Sequence, residues 1–93
     1  MKRLTTPSKN KSYTVEESAI QPALGGYTGE AIDKLAGFEN FYEAIQSQQL
    51  EIEKELEKLR AQDKSRTVRF KQLLANKLSN NNILIQLKTY GIE

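Results

Sequence analysis

From Ala31 to Leu59 the chain places apolar or aromatic residues at alternating steps of three and four. The series is Ala31, Leu35, Phe38, Tyr42, Ile45, Gln49, Ile52, Leu56 and Leu59, a heptad seam interrupted only by Gln49. Thr28 stands before it as a candidate N-cap, with Glu30 and Asp33 in the first turn, where carboxylates complement the helix dipole. No proline follows Thr28 anywhere in the sequence. The pattern predicts one helix over about 29–62, roughly 50 Å long at 1.5 Å per residue.

Two shorter periodic stretches come next. Val68, Leu73, Leu74, Ala75 and Leu78 predict a helix over about 67–78, capped by Asp63, Ser65 or Thr67. Ser79-Asn80-Asn81-Asn82 reads as a break, because short polar side chains compete with the helix for backbone hydrogen bonds. Ile83, Leu84, Leu87 and Tyr90 then predict a helix over about 81–90. Gly91 at C′ and Ile92 at C″ give it a Schellman stop.

Residues 1–27 show no helical period and contain Pro7, Pro22 and Gly25-Gly26. They read as a flexible or extended arm, with Tyr13-Thr14-Val15 a short strand that has no visible partner. The expected fold is therefore all-α. A flexible N-terminal arm (1–27) precedes a helical domain (28–93), in which one long heptad-patterned helix is followed by two short helices folding back on it. The assembly expected is a helical bundle or coiled-coil oligomer.

Two short helices cover only about half of a 50 Å helix by the same rise per residue. The remainder of the seam calls for a partner, most simply a second copy, so a homo-oligomer (dimer or higher) is expected. Its contacts would come from Leu35, Phe38, Tyr42, Ile45, Gln49, Ile52, Leu56 and Leu59. Gln49, polar at a seam position, reads as a register device. Phe41 widens the stripe beside Phe38 and Tyr42, which favours a bundle over a strict two-stranded coil.

Composition narrows the chemistry. The chain has 93 residues, enough for one domain, and neither cysteine nor histidine. Disulfides, thiolate zinc sites and iron–sulfur clusters are excluded, and the commonest general base and metal ligand are missing. No metal, no cofactor and no enzymatic activity are expected. No apolar run approaches the roughly 20 residues of a membrane span, and no secretory signal follows Met1-Lys2-Arg3.

Charge is segregated. Residues 1–27 are net +2, residues 28–57 net −6 and residues 58–93 net +6. A reversal near 61–66 would lay the basic segment along the acidic one. Lys64, Arg66, Arg69 and Lys71 cluster at a predicted helix N-terminus, where backbone N–H groups also favour anions. Arg66, Arg69 and Lys71 are the anion-binding candidates, with Lys88 and Tyr90 as companions. The competing role for these bases is a solvated face or pairing with the acidic helix. Sequence-specific DNA recognition is disfavoured, because Ile83, Leu84, Ile85, Gln86, Leu87 and Lys88 are too apolar to read a groove.

Three stretches resemble small phage and prophage proteins of Firmicutes: Met1-Lys2-Arg3-Leu4-Thr5, Thr28 through Glu39, and Thr67 through Leu74 continuing to Lys88-Thr89-Tyr90-Gly91-Ile92-Glu93. The resemblance implies a viral accessory protein of the host cytoplasm and brings no established activity with it. Small oligomeric phage proteins often act in counter-defence. The resemblance thus implies either an inhibitor of a host defence effector such as CRISPR, or a sponge for a nucleotide immune signal. The alternatives are a structural scaffold or adaptor, and a non-specific nucleic-acid-binding accessory, in phage replication or assembly.

Overall fold

The computed structural model describes residues 1–93. The element order is β1 (Thr5–Pro7), β2 (Tyr13–Val15), β3 (Gln21–Ala23), β4 (Gly26–Thr28), α1 (Glu30–Ala61) and α2 (Val68–Thr89). Two helices with two small antiparallel sheets make a mixed α/β fold, which corrects the all-α expectation. The chain divides into two compact units, residues 1–40 and residues 41–93, and α1 runs from the first into the second. Neither helix is long and apolar enough to cross a membrane.

In the first unit the expected flexible arm is a pair of β-hairpins. Tyr13-Thr14-Val15 has its partner: β1 and β2 pair antiparallel in the register Thr5↔Val15, Thr6↔Thr14, Pro7↔Tyr13. Between them a 3-10 turn, Lys9–Lys11, holds Asn10 and Lys11 at φ 67° and 61°. Ser8 N–H donates to Ser12 O at 2.9 Å and closes that loop. Arg3 lies 5.7 Å from the Tyr13 ring centre, a cation–π contact. The Lys34 ammonium donates to the Lys2 carbonyl and ties the start of the chain to α1.

β3 and β4 pair as Gln21↔Thr28, Pro22↔Tyr27, Ala23↔Gly26 around Leu24-Gly25, with Gly25 at φ +83°, the angle that position i+2 of a type II turn needs. Pro7 and Pro22 are tolerated because every strand of a two-stranded sheet is an edge. A second 3-10 turn, Glu17–Ala19, links the hairpins and buries Ala19. The first helical carbonyl to accept is that of Gly29, from Asp33 N–H at 3.0 Å, so Gly29 rather than Thr28 occupies the N-cap. Its φ of +128° and its fit against the Ala19 carbonyl, 2.6 Å from where a Cβ would stand, leave room for glycine alone.

The second unit is an antiparallel helical hairpin. α1 ends in a Schellman motif: Lys64 N–H donates to Leu59 O (2.8 Å) and Asp63 N–H to Arg60 O (3.0 Å), with Asp63 at φ 57°. Thr67 caps α2, its Oγ1 accepting from Phe70 N–H at 3.2 Å. Leu56, Leu59, Phe70 and Leu73 form the core, with Ile52 and Leu74 packed on it. Arg60 covers the edge of that core, 5.3 Å from the Phe70 ring centre. α2 ends in the Schellman stop at Gly91, with Gly91 N–H on Lys88 O and Ile92 N–H on Leu87 O, both 2.9 Å.

The expected pair of short helices is one continuous helix. Ser79-Asn80-Asn81-Asn82 does not break it, because α1 supplies partners for two of these polar side chains. Asn80, 8% exposed, donates to Gln48 Oε1 at 3.4 Å, and Asn81 Oδ1 accepts from Gln49 Nε2 at 2.9 Å. Side chains engaged across the hairpin no longer compete for their own backbone.

Candidate binding surfaces

The structure separates the seam into a covered and an uncovered part. In the second unit Ile45, Leu56 and Leu59 are buried, and Tyr42, Gln49 and Ile52 are half-buried. In the first unit Leu35 and Phe38 remain 54% and 43% exposed. Three of the eight candidate contact residues are thus buried within their own chain, and the covering element is α2.

Gln49 faces α2 of its own chain. Its Nε2 donates both to the Lys77 carbonyl (3.2 Å) and to Asn81 Oδ1 (2.9 Å), and its Oε1 is buried without a partner. One turn further along α1, Glu53 meets the Lys77 ammonium at 2.5 Å. Together with Gln48–Asn80 these contacts form a polar ladder that locks α1 against α2 at one offset, since a slip by one residue would leave each amide without its partner.

The basic candidates are spread over the length of α2. Arg66 lies in the exposed turn before the Thr67 cap, and Arg69 and Lys71 follow on the first turns of α2. Two residues apart on a helix, Arg69 and Lys71 point about 200° apart and face opposite ways. Arg69 enters a groove of about 720 Å³ between the helices, floored by Ile52 and Leu73 and lined by Gln48, Asn76, Ser79 and Asn80. Glu51 and Glu55 line the same groove, so an anion bound to Arg69 would face two carboxylates.

Lys88 lies nineteen residues further on, about 28 Å along the helix. There it bridges to Glu93 at 3.8 Å and borders a second groove, of about 370 Å³, with Tyr42, Gln46, Leu84, Ile85 and Ile92. Tyr90 is 85% exposed and borders neither groove. The five candidates therefore do not converge on one pocket. Lys77–Glu53 is the one ion pair that joins α1 to α2, so Lys64, Arg66, Arg69 and Lys71 carry no ion-pair partner.

The amide pairing of Gln48, Gln49, Asn80 and Asn81 was not foreseen from the sequence, though a signal for it exists. Phe70, Leu73, Lys77, Asn80, Leu84 and Leu87 continue steps of three and four straight through the polar run. A face that keeps its period across a supposed break argues for an unbroken helix. Comparison of the chain with known protein families, with characterised proteins and with solved structures returns no match.

Proposed function

We propose that this protein acts by occupying a surface of another protein rather than by catalysis, as a phage-type accessory working in the host cytoplasm against a defence effector. The observation that carries this reading is the uncovered end of the seam. Leu35 and Phe38 stand on a long helix at 54% and 43% exposure, although folding buries the same pattern elsewhere in the chain. Apolar side chains held out on a rigid element lose little conformational entropy on docking, and they contribute most of their stabilisation when a partner desolvates them. A nucleotide sponge draws less support, because Arg66, Arg69 and Lys71 lie far along α2 from Lys88 and Tyr90.

A second reading rests on a different observation. Lys64, Arg66 and Lys71, free of ion pairs at the start of α2 and outside the groove that Glu51 and Glu55 line, suit contact with a phosphate backbone without base readout.

One experiment separates the two. Phage plating efficiency is scored in hosts carrying individual defence systems, with and without the protein. Wild type is expected to restore plating against at least one system by about 100-fold or more, and Leu35→Asp/Phe38→Asp to abolish that rescue while the circular dichroism spectrum is kept. Loss with Arg66→Glu/Lys71→Glu, and not with the apolar pair, would favour the nucleic-acid reading. No rescue by wild type against any system would remove the counter-defence proposal.

A further inference from the structure

The flank of α2 beside its contact with α1 carries a second apolar pattern that folding leaves open. Leu78 and Ile85 are 57% and 63% exposed and stand seven residues apart, two turns along one face. Asn81 and Asn82 lie between them. Beside Ile85 opens the groove of about 370 Å³ bordered by Tyr42, Leu84, Lys88 and Ile92.

We propose that this face docks against the same face of a second copy, α2 antiparallel to α2, giving an isologous dimer. The occupant follows from the symmetry of the pattern. With the two-fold axis between Asn81 and Asn82, Leu78 of one copy falls opposite Ile85 and its groove on the other, and the reciprocal contact forms automatically. Asn82, exposed beside the axis, offers both a donor and an acceptor to the second copy, while Asn81 Oδ1 stays on Gln49 Nε2 of its own chain. The charges agree with the same alignment. Lys71, which has no ion-pair partner, falls opposite position 92 of the second copy, just past the end of its α2 and next to Glu93, whose carboxylate lies 3.8 Å from Lys88. A parallel pairing would instead put Lys71 beside Lys71 and Lys88 beside Lys88, with like charges meeting at both ends.

This dimer differs from the one expected from the seam, because Ile45, Leu56 and Leu59 stay inside each copy. It makes no use of Leu35 or Phe38, so it stands or falls separately from the proposed function.

Analytical ultracentrifugation of the full chain tests it. Wild type is expected to be a dimer with a micromolar dissociation constant, and Ile85→Glu to weaken association by about 100-fold, since it places a charge in a desolvated contact. Lys71→Glu alone is expected to weaken the dimer by about 5- to 10-fold, and adding Glu93→Lys to restore it, a recovery that only the antiparallel arrangement allows. A wild type that stays monomeric at millimolar concentration would overturn the proposal. So would an Ile85→Glu protein that associates as tightly as wild type, or a charge swap that fails to rescue.

Discussion

Leu56→Ala is expected to destabilise the helical hairpin by about 3 kcal/mol, within the range found when a buried leucine is cut back to alanine. Leu56 is 0% exposed and sits among Leu59, Phe70 and Leu73, so the removed atoms leave a cavity between two helices. The core of this unit is small, and a loss of that size takes a large share of its stability. In a thermal melt followed by circular dichroism it corresponds to a fall in Tm of roughly 15 °C for a domain of this size. Leu50→Ala is the control. Leu50 is 65% exposed, and its truncation should cost no more than about 0.5 kcal/mol. Equal effects at the two positions would mean that α2 does not cover the seam.

Gly29→Ala is expected to cost about 3 kcal/mol, and to do so in the other unit. Two independent penalties act there. The φ of +128° is one that side-chain-bearing residues rarely adopt, and the new Cβ would stand 2.6 Å from the Ala19 carbonyl oxygen, which belongs to backbone and cannot swing aside. The linker between the hairpins would have to leave the start of α1. NMR resolves the effect by unit: amide shifts over 5–28 should collapse toward random-coil values while those over 41–93 stay in place. Gly37→Ala provides the contrast, because nothing lies within 4 Å of its added Cβ, and inside a helix the change should stabilise by about 1 kcal/mol. An unperturbed first unit in Gly29→Ala would show that its glycine is not required.

The seam from Tyr42 to Leu59 could be read from the sequence because a helix buried on one face must repeat its apolar residues with the helical period. The turn chemistry at Gly91 was legible for a similar reason, since it depends on one residue and its immediate neighbours, whereas the cap of α2 was narrowed only to Asp63, Ser65 or Thr67, of which the structure uses Thr67. The hairpins were not. Their strands are three residues long and almost wholly exposed, so no alternation of apolar and polar residues marks them. What holds them is turn geometry at Asn10, Lys11 and Gly25, together with contacts from Arg3 and Lys34 that lie far away in sequence.

Ser79–Asn82 misled for the opposite reason. Local propensity argued for a break, and the tertiary partners Gln48 and Gln49 reversed that preference. The basic residues posed a third kind of difficulty. Their spacing in sequence placed Arg69 beside Lys71, while the helix turns them to opposite sides and sets Arg69 in a groove that Glu51 and Glu55 also line. Sequence proximity measured charge density along the chain, and binding depends on which groups share a face.

The claim on which the rest depends is that α2 closes the seam from within the same chain, leaving Leu35 and Phe38 as its free end. Isotope-filtered nuclear Overhauser spectroscopy on a mixture of labelled and unlabelled protein tests it directly, because it separates contacts inside a chain from contacts between chains. Contacts of the Leu56 methyls within the cluster of Leu59, Phe70 and Leu73 are expected in the intramolecular spectrum alone. The same contacts appearing only between labelled and unlabelled chains would show that the seam is shared between copies, and would contradict the hairpin.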